Sequence, residues 1–161
     1  MTGTLSAVAV ILGIVPLWTR RVGVVAPLLT MQSLTVATVV VLNGHAWIAC
    51  AHAVTGAIVG PWFVYRYGAR DDQTDHPWLV GLGAGLVLIA VLFGSVWAAL
   101  SMLLLGLVRI TERGNAASVV AGIVSIQGSA ILLAPIAVGP ILLCYAVLAC
   151  EPSLRRLWRA S

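Results

Sequence analysis

The chain has 161 residues, of which 61% are hydrophobic and only 9% charged, with a mean hydropathy of +1.07. A soluble domain of that length has too little interior to hide so much apolar surface, which excludes an ordinary water-soluble enzyme. The net charge of +4 comes from nine arginines and no lysine, so Schiff-base and lysine-relay chemistry are also excluded.

The arginines sit in the breaks between apolar segments, a placement that reads as membrane topology and not as a nucleic-acid-binding surface. Residues 1–161 are therefore expected to form one all-α, polytopic transmembrane helical bundle in the cell (inner) membrane. The apolar stretch Leu5 to Trp18 comes first and ends at Arg20-Arg21. No basic segment precedes it, which predicts a first transmembrane helix with its N-terminus outside, not a cleavable signal peptide. Val22 to Leu42 is a full span closed by Asn43-Gly44, and His45 to Tyr65 is a third, closed by Arg66. The one clearly polar loop follows, from Arg66 to Pro77.

Trp78 to Val108 carries no charged residue. One helix over that stretch would be roughly 46 Å long, against a hydrocarbon core of roughly 30 Å. Two short helices turning near Gly94-Ser95 fit better, because all nine arginines then fall on one side; a single helix would split them four and five. The expectation is thus about seven helices, six if residues 78–108 form one, with the C-terminus in the cytoplasm. A sixth helix runs from about Asn115 to Leu133 and a seventh from about Ile136 to Cys150, between Pro135 and Glu151-Pro152. A basic tail, Arg155-Arg156-Leu157-Trp158-Arg159, is suited to anionic headgroups or a soluble partner. Trp18, Trp62, Trp78 and Trp158 fall near the expected cytoplasmic ends, and Trp47 and Trp97 near the outer ends, as interfacial belts do.

Catalytic chemistry is not legible. Asp71, Asp72, Asp75, Glu112 and Glu151 lie at helix ends or in the loop, with no buried acid/base pair. Cys50, Cys144 and Cys150 form no CxxC spacing, so no metal and no cofactor are expected. Gly81-Leu82-Gly83-Ala84-Gly85 lacks the preceding strand that a nucleotide fingerprint requires. Gly81 and Gly85, Gly56 and Gly60, Ser118 and Gly122, and Ser125 and Ser129 are small-xxx-small pairs, expected to make tight helix contacts either within the bundle or with neighbours.

The strongest polar groups inside the spans are His52, Gln32 and Gln127. His52 lies about two turns into the third helix, where an imidazole can carry protons, bind metal or simply hydrogen-bond at a helix interface. Gln32 and Gln127 carry no charge but can hydrogen-bond between helices. Thr30, Ser33, Thr35 and Thr38 surround Gln32; such a strip can hold water beside a proton path or bond back to its own helix carbonyls.

Several stretches carry a family likeness: Thr19-Arg20-Arg21 with Leu29-Thr30-Met31-Gln32-Ser33-Leu34, Thr55-Gly56-Ala57-Ile58-Val59-Gly60-Pro61-Trp62, Arg113-Gly114-Asn115-Ala116, and Val124-Ser125-Ile126-Gln127-Gly128-Ser129. In their order and spacing the chain resembles the hydrogenase-4 component E family, membrane subunits of formate hydrogenlyase-type and other energy-converting hydrogenases. That family is related to the K-type subunit of complex I. The resemblance implies partners among antiporter-like and hydrogenase-anchoring subunits. Gly56 stands where the family commonly has an intramembrane Lys, and Gln127 where it commonly has a Glu. With both titratable groups replaced, the resemblance implies a scaffold of the membrane arm. A small standalone transporter or channel is the alternative, and it would need a polar site near the midplane.

Overall fold

The computed structural model describes residues 2–18, 21–67, 77–111 and 116–134, and among these every regular element is helical. Six helices follow in chain order: α1 (Thr2–Trp18), α2 (Val22–Leu42), α3 (Ala46–Ala53, continuing through Val54–Val59 and Gly60–Tyr67), α4 (Pro77–Phe93), α5 (Ser95–Thr111) and α6 (Ala116–Leu133). The expected seventh helix, the basic tail and most of the polar loop lie outside the described residues.

Glycine chemistry sets two of the turns. Gly44 has φ +86° and closes α2: its N–H bonds Val41 O at 2.9 Å, and the His45 N–H bonds Val40 O at 3.2 Å. Those two bonds are the paired closure of a helix C-terminus that needs a left-handed residue. Gly94, also at φ +86°, divides the long uncharged stretch into α4 and α5. The chain folds back there, bringing Ser101 Oγ to 3.5 Å from Leu86 O. Two helices, not one, therefore occupy residues 78–108.

Side-chain approaches fix the relative directions of the helices. Gly13 meets Gln32 and Gly56 meets Ser33, so α1, α2 and α3 alternate in direction. Gly106 meets Gly122, making α5 and α6 antiparallel, and Val36 and Gln32 of α2 meet Gly128 and Ser125 of α6 in parallel register. Arg21, Arg66 and Arg109 consequently share one end of the bundle, and Gly44 and Gly94 share the other.

α6 is the central helix. From Ala117 to Ile131 nearly every residue is buried, on all sides. One apolar cluster joins α1, α2, α3, α4, α5 and α6 through residues such as Val10, Val36, Ile48, Ala90, Met102 and Ile131. A second joins α2, α3 and α6 near the arginine end, through Leu29, Phe63, Val64, Ala121 and Val124.

Beside this apolar core the bundle buries polar side chains and exposes large apolar ones. Gln32, Ser33, His52, Ser125 and Gln127 are buried, while Ile58 and Leu92 are 65% and 64% exposed. Met31, Trp47, Val91 and Phe93 are exposed too. Two helical segments, Val22–Leu42 and Ala46–Arg66, are long and apolar enough to cross a membrane by length and composition; α1, α4, α5 and α6 are shorter and also apolar.

Candidate functional site: a buried polar centre

Six of the buried polar residues, Gln32, Ser33, His52, Thr55, Ser125 and Gln127, lie along the middle of α2, α3 and α6. Local backbone chemistry explains why α3 is unusual there. Pro61 has no N–H, so it cannot give the Ala57 carbonyl the i+4 bond of an α-helix. Over Val54–Val59 the helix widens to π geometry, and the Gly60 N–H bonds Thr55 O, five residues back. A donor also arrives from outside: Thr30 Oγ1 of α2 bonds Ala57 O at 3.2 Å while bonding Ala26 O of its own helix at the same distance. A neighbouring hydroxyl re-satisfying backbone at a proline is a device suited to an apolar environment.

Gln127 of α6 reaches this segment, donating Nε2–H to Thr55 Oγ1 at 3.0 Å. Thr55 Oγ1 in turn bonds back to Ala51 O at 3.0 Å and His52 O at 3.2 Å. Gln32 lies between three helices: its Nε2 stands over Gly13 of α1 and donates to Ser125 Oγ of α6 at 3.3 Å. Ser33, the next residue, packs directly on Gly56 of α3.

Four polar atoms in this region are buried without a hydrogen-bond partner among the described residues: Gln32 Oε1, Ser33 Oγ, and both ring nitrogens of His52. His52 is fully buried, on the same face of α3 as Thr55 and Gly56. The hydroxyl strip around Gln32 divides. Thr35 and Thr38 bond back to Met31 O and Leu34 O at 2.8 Å, whereas Thr30 and Ser33 face α3.

Of the three polar candidates, Gln32 and Gln127 each hydrogen-bond to another helix, and His52 lies buried one turn before the Thr55 that Gln127 bonds. No group of three or more metal-binding side chains occurs among the described residues. The packing candidates have varied surroundings. Gly60 meets Val124 and Val120, Gly122 meets Gly106, Ser118 and Ser125 are buried, and Ser129 bonds back to Ile126 O at 2.6 Å. Gly81 and Gly85 are exposed, with nothing described within 4 Å; the glycine of α4 that faces the bundle is Gly83, against Ile14. An open apolar groove runs beside it, lined by Ile11, Val15, Ala84 and Leu88 among others.

Sequence reasoning missed Gly13, Gly83, Gly106 and Gly128, all of which receive a neighbour's side chain or backbone. It also missed the widened segment of α3, for which Pro61 within an apolar span was the available signal.

No family model, no curated protein and no solved structure matches this chain.

Proposed function

We propose that this protein is a multi-pass membrane subunit without catalytic residues of its own, scaffolding the membrane arm of a hydrogenase or complex I-like ion-translocating complex. The large apolar side chains on the exterior, with polar ones kept inside, carry the membrane part of this reading. Leu92, Ile58 and Met31 on the outside cost little in lipid, and Gln32 and Gln127 inside are the groups that lipid would penalise. Exposed Trp47 and Trp97 at one end, and exposed Trp62 at the other, suit two interfaces. The guanidinium of Arg66 lies 5.2 Å from the Trp62 ring centroid, pinning a cation to the arginine end. By the positive-inside bias that end is cytoplasmic and the N-terminus is outside.

The subunit part rests on the family resemblance together with the character of the interior. At the two positions where the resemblance implies a titratable relay, the bundle holds Gly56 against Ser33 and Gln127 bonded to Thr55. These groups pack and hydrogen-bond; neither transfers charge. Gly81, Ala84 and Gly85 offer a shallow face to neighbouring helices of a larger assembly. Purification of a tagged chain in mild detergent tests the reading: a large multi-subunit complex containing antiporter-like chains is expected, and a monodisperse bundle alone would contradict it.

A standalone transporter is the second reading. It is favoured by one observation, the unpartnered polar atoms beside a widened, proline-bearing helix. Solute uptake by liposomes containing this chain alone would support it over the first.

A further inference from the structure

We propose that Gln32, Ser33 and His52 bind water at the centre of the bundle. Each residue is at most 1% exposed, and between them they present four polar atoms without a described partner. Buried polar groups in folded proteins are satisfied by protein or by ordered water, and a cluster of unsatisfied ones marks a site for a ligand.

The donor and acceptor types select that ligand. Gln32 Oε1 only accepts, Ser33 Oγ both gives and takes, and a neutral imidazole has one nitrogen of each kind. The ligand must therefore both donate and accept. No carboxylate stands among these residues to hold a metal cation, and the described arginines that could hold an anion, Arg21, Arg66 and Arg109, lie at the end of the bundle. A small neutral hydrogen-bonding molecule fits, and water is the one always present.

Packing relates the groups through one face of α3. Ser33 packs on Gly56, and Gly56 lies four residues from His52 on one face of α3, about 6 Å along the axis. The Ser33 hydroxyl and the His52 nitrogens do not bond each other directly, which leaves any link between them to water. Gln32 follows on the adjoining face of α2, with its Nε2 already engaged by Ser125 and its Oε1 left to accept. Hydration joins the α2–α3 contact to the α2–α6 contact through one hydrogen-bonded chain. The proposal depends on these side chains alone and stands whichever complex the protein belongs to.

Water-edited solid-state NMR tests it, on the full chain in bilayers of deuterated lipid. The imidazole is ¹⁵N-labelled in a His45→Gln/His76→Gln background, so that His52 alone reports. Met102, fully buried and set in the apolar cluster, supplies the dry reference through its labelled methyl. Magnetisation from water is expected to reach His52 at short mixing times while the Met102 methyl stays dark. Ser33→Ala and Gln32→Leu should each lower the transfer to His52 by about twofold or more, as each removes one of the polar partners a buried water needs. A His52 ring as dark as Met102 overturns the proposal. The His52–Met102 comparison requires no substitution in the site, so it decides the matter even if a variant fails to fold.

Discussion

The Thr30 hydroxyl stands 3.2 Å from the Ala57 carbonyl oxygen, four residues before the proline that denies that carbonyl its α-helical donor. The contact ties α2 to the widened part of α3. Thr30→Val keeps the shape and removes the donor, and should cost about 0.6–2 kcal/mol, the range for hydrogen bonds between membrane helices. Thr30→Ser should cost less. Pro61→Ala returns an N–H to α3, so the cost of Thr30→Val should shrink in its presence. Thermal unfolding in detergent across this double-mutant cycle checks the coupling; additive costs would show that Thr30 does not serve the proline.

Glycine substitutions should divide sharply by location. A Cβ at Gly106 would stand 2.7 Å from Gly122 O, and one at Gly122 would stand 2.7 Å from Gly106 O. Backbone cannot step aside as a flexible side chain can, so Gly106→Val or Gly122→Val should destabilise the bundle by about 1–3 kcal/mol or more. Gly81→Ala and Gly85→Ala meet no described atom within 4 Å and should leave the melting temperature of the isolated chain unchanged. If neighbouring subunits use that face, Gly85→Leu should reduce recovery of the larger complex while the bundle itself stays folded. Detergent melts and pull-down yields measure the two effects separately.

Gln127 and Thr55 should prove coupled. Gln127→Leu removes the 3.0 Å bond to Thr55 Oγ1, but Thr55 keeps its bonds to Ala51 O and His52 O. Thr55 is therefore not stranded, and the share of the loss due to this bond should stay near the low end of about 0.6–2 kcal/mol. A Gln127→Leu/Thr55→Val cycle read by unfolding should return a coupling energy of that size.

The left-handed backbone at Gly94 makes a separate point. Any side chain there is strained at φ +86°, so Gly94→Ala should cost about 1–2 kcal/mol and loosen the α4–α5 turn. Faster proteolysis at that turn, with a lowered melting temperature, would register it.

The helix count over the long uncharged stretch was legible because arginine parity is a global constraint. Only a fold-back near Gly94 puts Arg21, Arg66 and Arg109 at one end, and the chain turns there. The end of α2 was legible from Asn43-Gly44, since a glycine is what a left-handed closure needs. The close approach of α5 and α6 was only half legible. Gly122 stands in a small-xxx-small pair, but Gly106 has its partner across the interface and none four residues away in its own helix. In α4 the pattern at Gly81 and Gly85 left open whether the contact is within the bundle or with neighbours; within the bundle it is Gly83 that faces α1, because which side of an apolar helix faces inward is set by its neighbours. The packing of Ser33 on Gly56, on the face of α3 that carries His52, depends on the α2–α3 register, which no local pattern encodes.

Single-cysteine labelling from the two sides of the membrane tests the proposed membrane bundle, with its arginines at one end, most directly. In a chain with Cys50, Cys144 and Cys150 replaced by Ser, a cysteine is placed at Asn43, Ser95, Arg21 or Arg66. An impermeant maleimide should modify Asn43→Cys and Ser95→Cys in cells whose inner membrane is intact but externally accessible. Arg21→Cys and Arg66→Cys should react only after that membrane is opened. Labelling of Arg21→Cys and Arg66→Cys from opposite sides, or of all four in a chain that stays soluble without detergent, would contradict the account.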